Sequence, residues 1–168
     1  IGLQGSDLRA AERTFQLVRQ VAGRAGRVEK PGLALIQTHQ PDHPVIKAIL
    51  SGDDIGFWTA EAAARQLAGA PPFGRLAGIL ITASNAEDAF RVGNELARHG
   101  APLLQIGAKI YGPAVAPIAR VRGRYRVRML IKAEKSAPLQ KAIQEWLRPL
   151  KVPSDVRLSV DIDPQSFL

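Results

Sequence analysis

The sequence predicts an α+β protein in two parts, of which the second has the element order βαββαβ. Two observations support this prediction. Apolar residues recur at helical spacing before Pro71-Pro72, whereas strand-like alternation dominates after it. Six elements within about 95 residues then favour a ferredoxin-like split βαβ sandwich, with its helices on one face of the sheet.

The first part opens with a predicted helix over residues 7 to 22. Asp7 can cap this helix, and Phe15, Val18 and Ala22 follow at helical spacing. If the sheet that would cover this helix is missing, we expect the apolar face of the helix to fray or to be covered by the surface of a partner.

Three further elements are expected before the double proline. Residues 32 to 38 (GLALIQT) are short, apolar and bounded by prolines, which predicts a strand. Residues 43 to 51 and 54 to 68 have the pattern of two helices. Trp58 and, in the second part, Trp146 lie beside apolar neighbours and are expected in the core.

The second part contains four predicted strands and two predicted helices. Ser136 is expected to cap the second helix, and the last strand alternates apolar and polar residues most regularly. In order, the elements are a strand over 76–83, a helix over 85–99, strands over 115–121 and 124–132 joined by a turn at Arg122-Gly123, a helix from Ser136 to Leu150, and a strand over 156–162.

Composition and charge narrow the class of partner. The 168 residues carry a net charge of +8 and a pI near 10.4, which favours polyanions such as nucleic acid. No apolar run reaches the roughly 20 residues of a membrane helix, so no membrane partner is expected. There is no cysteine, and prolines separate His39 from His43, so no metal site is expected. Asp161 and Asp163 are expected to face solvent.

The predicted hairpin carries the densest positive charge. We expect its basic residues to bind DNA phosphates and Tyr125 to stack on an exposed base. Alternation places Arg124, Arg126 and Arg128 on one strand face, with Tyr125, Val127 and Met129 on the other, while the turn can shift the phase of residues before it. The alternative is a solvated edge hairpin that its charges protect from aggregation. The predicted DNA-binding residues are Arg120, Arg122, Arg124, Tyr125, Arg126, Arg128 and Lys132.

The string QVAGRAGR, residues 20 to 27, is the other chemical signal. Arginine guanidinium groups neutralise charge on a transferring phosphoryl group, and glycines allow a close backbone approach. The alternative is an ordinary helix end, where the positive charge of arginine interacts favourably with the helix dipole.

This string resembles the sixth motif of superfamily 2 helicases, and the similarity extends along the chain to the primosomal protein N′ family of replication-restart helicases. Further matches are Gly2-Leu3, Asp7-Leu8-Arg9, Glu12-Arg13, Gln37-Thr38, Pro41-Asp42-His43-Pro44, Pro71-Pro72-Phe73, Tyr111-Gly112-Pro113, Gly123-Arg124-Tyr125-Arg126 and Asp161-Ile162-Asp163-Pro164.

The resemblance implies an ATP-dependent helicase that unwinds DNA in the 3′-to-5′ direction and restarts replication at abandoned forks, in the cytoplasm at the nucleoid. It implies that Gln20, Gly23, Arg24 and Arg27 line the ATP cleft, with Arg24 or Arg27 acting catalytically on the γ-phosphate. It also implies an S10-like terminal domain that binds forked or single-stranded DNA, single-stranded DNA-binding protein and other primosome proteins. Gln140 matches a position in the site for single-stranded DNA-binding protein, but Ser136 stands where some relatives have arginine.

The sequence departs from the family pattern in what it lacks. It has no G-x-x-x-x-G-K-[ST] loop, no D-E-x-H motif and no cysteine-rich zinc insertion. ATP, Mg²⁺ and zinc are therefore expected in the intact protein and no cofactor in this fragment, which we expect not to hydrolyse ATP alone.

The resulting prediction has three parts: residues 1–40 as the end of a RecA-like second helicase lobe with the sixth motif, 41–73 as a helical connector, and 74–168 as the DNA-binding domain. One alternative is a stand-alone nucleic-acid-binding or assembly module without a motor. Another is a fragment of a different superfamily 2 helicase. The coding DNA upstream of Ile1 distinguishes them.

Overall fold

The computed structural model describes residues 9–25 and 32–165, which fall into two compact units divided between Ala64 and Arg65. The helices are α1 (Ala10–Ala22), α2 (Pro44–Ser51), α3 (Asp54–Leu67), α4 (Ala86–Arg98), α5 (Ala101–Gln105) and α6 (Leu139–Leu147), and the strands are β1 (Gly74–Ala83), β2 (Lys109–Val121), β3 (Arg124–Glu134) and β4 (Arg157–Ile162). The protein is therefore α+β, as the sequence predicts. The predicted division at residues 40 and 73 stays a prediction.

The first unit is built around an aromatic cluster. Phe15 of α1 stacks on Phe57 with ring centroids 3.9 Å apart, and Val45 and Ile49 of α2 are buried beside them. The expectation that the apolar face of α1 lacks a partner is therefore wrong at Phe15. Trp58 meets both phenyl rings edge-on but is 39% exposed, so it lies at the rim of this core and not inside it.

The predicted strand over residues 32–38 is wrong. This segment is irregular, and Leu33 and Leu35 are 81% and 87% exposed. A strand requires a neighbouring strand for its backbone hydrogen bonds, and the regular elements described in this unit are helices. Asp7, the predicted cap of α1, lies outside the described residues.

The second unit is one four-stranded sheet with helices on one face. The strand order is β2-β3-β1-β4, and every neighbouring pair is antiparallel. Alternate residues of β1 and β3 face α4 and α6 in a shared core, which contains Ile79, Ile81, Val127, Met129, Ile131, Val92, Leu96, Leu139 and Ile143. Trp146, 1% exposed, belongs to this core as predicted, and its indole Nε1 donates a hydrogen bond to the Leu96 carbonyl at 2.9 Å.

Several boundaries in this unit differ from the prediction, and the two largest differences at an element's start are in β2 and α6. Strand β2 begins at Lys109 and not at Val115. Its register with β3 shifts between Tyr111 and Ala114, and this irregularity accommodates Pro113 in the edge strand. Helix α6 begins at Leu139 after Pro138 without a side-chain cap, so Ser136 is not its cap. The short helix α5 was not predicted.

Candidate nucleic-acid interface

The second unit has a sheet face that points away from α4 and α6, here called the open face. On β3, Val127 and Met129 are buried under the helices, while Arg124, Arg126 and Arg128 point to the other side. This division confirms the alternation predicted for β3. Three arginines thus share one face of a strand that is paired on both sides.

Register pairs extend this face across the sheet. Directly paired residues share a face, and Lys109 of β2 pairs with Lys132 of β3. Thr82 of β1 pairs with Arg126 on one side and with Arg157 of β4 on the other, so Arg157 lies on the same face. Successive open-face residues on one strand stand about 6.7 Å apart. The basic residues of the open face are Lys109, Arg124, Arg126, Arg128, Lys132 and Arg157.

Arg124 has a carboxylate partner and two carbonyl partners. Its Nη1 lies 3.2 Å from Asp155 Oδ1, and its Nη2 donates to the Thr82 carbonyl at 3.0 Å and to the Asp155 carbonyl. The positive charge of the hairpin is therefore partly neutralised at this position. Arg124 ties β3 to the segment that leads into β4.

Asp155 is held by more than this arginine. The Ser84 backbone N–H and hydroxyl both donate to Asp155 Oδ2 at 2.7 Å. These bonds, followed by the Arg124 guanidinium, hold the pKa of Asp155 below its usual value. The carboxylate therefore stays charged near neutral pH and fixes the position of Arg124.

The residues before the turn lie differently from those after it. Arg122 and Gly123 both have positive φ, at 48° and 80°, the conformation of a two-residue type I′ hairpin turn. Arg120 pairs with Tyr125, and its guanidinium carbon lies 5.0 Å from the ring centroid of that tyrosine. Arg120 and Tyr125 thus share the face opposite Arg126, and one side of the Tyr125 ring already has a cation over it.

A groove of about 140 Å³ crosses the open face. Its lining includes Gly78, Leu80, Arg126, Arg128, Ser159 and Asp161. Tyr111, 48% exposed, pairs with Leu130 on the same face. Five residues of this face are not predicted from the sequence, because their proximity depends on which strands pair: Lys109, Tyr111, Arg157, Ser159 and Asp161. Asp163, expected to face solvent, instead bonds Arg75 Nε at 2.8 Å and the Leu76 N–H at 2.9 Å.

The residues of the helicase-like string lie in the other unit. Gln20 is exposed near the end of α1, and the Gly23 N–H closes the helix on the Arg19 carbonyl at 2.9 Å. Arg24 is exposed after this helix end, and Arg27 lies outside the described residues. The assignment of these four residues to ATP stays a prediction.

Gln140 is exposed on α6, the helix layer opposite the open face. Its role in binding a partner protein stays a prediction. Within residues 9–25 and 32–165, no three His, Asp or Glu side chains gather closely enough to hold a metal ion. No helix in the described part of the chain is long and apolar enough to span a bilayer.

Comparison with known proteins identifies the family. The primosomal protein N C-terminal domain model matches residues 66–165. The replication restart protein PriA of Rickettsia felis is 39% identical over 167 residues, which is 99% of this chain and 25% of that protein. The PriA proteins of Treponema pallidum and Bacillus subtilis are 38% and 36% identical, over 99% and 96% of this chain and 25% and 20% of theirs. The chain thus spans about a quarter of the length of these relatives, and it belongs to the replication restart protein PriA family, matching the C-terminal part of its members.

Proposed function

We propose that this chain is the C-terminal part of a replication-restart DNA helicase and that its second unit binds forked or single-stranded DNA through the open face. The observation that carries this proposal is the placement of Lys109, Arg126, Arg128, Lys132 and Arg157 on one face of a single sheet. Such a row neutralises phosphates and releases their counterions, which supplies most of the affinity of sequence-independent DNA binding.

The remaining features of the proposal concern the whole protein. We expect an ATP-dependent 3′-to-5′ helicase in which Gln20, Gly23, Arg24 and Arg27 contribute to a nucleotide site completed by other parts of the polypeptide. The strand order β2-β3-β1-β4 with helices on one face supports a ferredoxin-like arrangement of the second unit. Single-stranded DNA-binding protein at Gln140, other primosome proteins and a location at the nucleoid belong to the same proposal.

The open face can be tested by the salt dependence of binding. We expect Arg126→Ala, Arg128→Ala and Lys132→Ala, combined in one variant, to weaken binding of a fluorescent forked DNA. If each side chain neutralises one phosphate, the slope of log K against log salt should fall by about 2 to 3 units, at about 0.7 to 0.9 per contact. Arg124 is left unchanged because its bonds to Asp155 and Thr82 hold the sheet.

A matched control removes the same charge from the helix layer. The triple variant Arg98→Ala, Lys141→Ala and Arg148→Ala changes exposed residues of α4 and α6 and the residue after α6. Fluorescence anisotropy across a salt series compares the two variants with the unchanged chain. Equal slopes for all three proteins would contradict DNA binding by the open face. If both variants lost the same amount of salt slope, the effect would be due to net charge alone.

The nucleotide site needs a separate test in the intact helicase. Arg24→Ala should abolish DNA-stimulated ATP hydrolysis while leaving binding of DNA by the open face unchanged, because removal of a γ-phosphate arginine lowers the rate by about a thousandfold or more. Undiminished ATP hydrolysis in this variant would show that Arg24 does not belong to the nucleotide site.

A further inference from the structure

The groove on the open face has two walls of different chemistry. Arg126 and Arg128 of β3 form one wall and offer hydrogen-bond donors. Ser159 and Asp161 of β4 form the other wall, and the Asp161 carboxylate accepts hydrogen bonds. The floor between them is β1, where Gly78 contributes no side chain. The groove therefore suits a flat ligand with acceptors along one edge and donors along the other.

The two walls are held apart by the sheet. Strands β3 and β4 lie on either side of β1, so their backbones are about 9.6 Å apart. Register pairs place Arg128 and Ser159 on either side of Leu80, and Asp161 beside Gly78. In the part of the chain that the structure describes, Asp161 forms no ion pair within 4 Å. Neither arginine is therefore ion-paired with this carboxylate; Arg126 Nη1 donates instead to the Ile118 carbonyl at 3.5 Å, and Arg128 has a contact of its own.

Among the DNA bases, guanine matches this arrangement. Its N7 and O6 are the acceptor pair that arginine recognises in two-bonded contacts. Its adjoining Watson–Crick edge carries the N1–H and N2–H₂ donors side by side, which one carboxylate can accept together. Adenine and cytosine each offer one amino donor there, and thymine offers one imide N–H between two acceptors. Because cytosine occupies the N1–H and N2–H₂ edge in a duplex, a guanine in this groove must be unpaired.

We propose that this groove holds one unpaired guanine of single-stranded DNA, with Arg126 or Arg128 on its N7/O6 edge and Asp161 on its N1–H/N2–H₂ edge. The inference rests on the proposed binding of DNA by the open face. Lys132 and Lys109 lie beyond Leu130 and Tyr111 on the same face, where they can bind the phosphates of adjoining nucleotides. The fork-binding surface would then favour single strands that present guanine.

The test compares 12-residue oligodeoxythymidines that differ at one central position. Fluorescence anisotropy at fixed salt is measured with guanine, adenine, cytosine, hypoxanthine or 7-deazaguanine at that position, and with thymine as the reference. We expect guanine to bind about tenfold more tightly than thymine, since one good two-bonded contact discriminates by roughly that factor or more. Hypoxanthine lacks the N2 amino group and 7-deazaguanine lacks N7, so each should lose much of this preference.

Two protein variants separate base recognition from phosphate binding. Asp161→Asn should abolish the preference for guanine, so that the guanine and thymine oligonucleotides bind this variant with equal affinity. Glu145→Gln changes an exposed residue of α6, makes the same charge change outside the groove and should keep the preference. If oligodeoxythymidine binds and no base is preferred, or another base is preferred, the guanine site is wrong while DNA binding by the open face stands. If no oligonucleotide binds, both proposals fail.

Discussion

Arg124 and Arg128 lie four residues apart on one strand face, yet the structure predicts opposite phenotypes for their removal. In Arg124→Ala, the carbonyl oxygens of Thr82 and Asp155 lose a charged donor. Hydrogen bonds to charged groups contribute about 1.5–3 kcal/mol each, and the side chain of Arg124 is 25% exposed, so the discounted loss is about 2 kcal/mol in all. For a unit of about 100 residues, this corresponds to a fall in Tm of roughly 10 °C.

Arg128→Ala should instead change DNA binding more than stability. Its side chain lines the groove on the open face, so its loss should reduce the salt slope by about 0.7 to 0.9 unit. Differential scanning calorimetry measures the Tm of both variants, and salt-dependent anisotropy measures the salt slope of their DNA binding. A further variant, Asp155→Asn, should resemble Arg124→Ala in the first measurement and the unchanged chain in the second. An Arg124→Ala protein that keeps its Tm and loses as much salt slope as Arg128→Ala would refute the distinction between the two arginines.

Three further outcomes follow from the second unit. The pKa of Asp155 is depressed in the folded state, so its stabilisation is present above its unfolded pKa of about 3.9 and is lost as pH falls through the folded value. Urea midpoints of the unchanged chain and Asp155→Asn should therefore differ at pH 7 and converge as pH falls below the folded value. Gly93→Ala places a methyl group 2.7 Å from the Pro113 Cβ and should destabilise the unit by about 1–3 kcal/mol in urea denaturation, whereas exposed Asn94→Ala should not. Trp146→Phe removes the indole donor from the Leu96 carbonyl, which keeps the His99 N–H at 3.2 Å, and puts a smaller ring in the core; it should cost about 1–3 kcal/mol in the same assay, with a native far-ultraviolet spectrum showing that the fold is kept.

The sequence predicts most of the second unit because the spacing of apolar residues there matches the helices and strands that form. The alternation of β3 and the apolar face of α6 define which residues enter the core, and Asn85 caps α4 as its position implies, accepting the Asp88 N–H at 2.8 Å. Residues 32–38 show where this reasoning fails. A short apolar run satisfies the pattern of a strand, but the pattern contains no information on whether another strand lies beside it.

The candidate interface was predictable along one strand and not across the sheet. The even-numbered arginines suggest one surface, and within β3 this is correct. Because the two-residue turn joins β2 and β3 in the register Arg120↔Tyr125, Arg120 lies on the opposite face from Arg126. Asp155 lies 31 residues from Arg124 in sequence, and nothing in either segment indicates that they meet.

The position of the basic row within the sheet bears on how efficiently it can bind. Arg126, Arg128 and Lys132 project from β3, a strand paired on both sides and packed under two helices, so their backbone is ordered without a ligand. Binding then requires ordering of side chains and of the nucleic acid but not of the protein backbone, which reduces the entropic cost of association. The pairing of Arg124 with Asp155 extends this order to the segment before β4, the strand that carries Ser159 and Asp161. A charge that contacts no DNA can therefore support the interface by fixing the distance between the two walls of the groove.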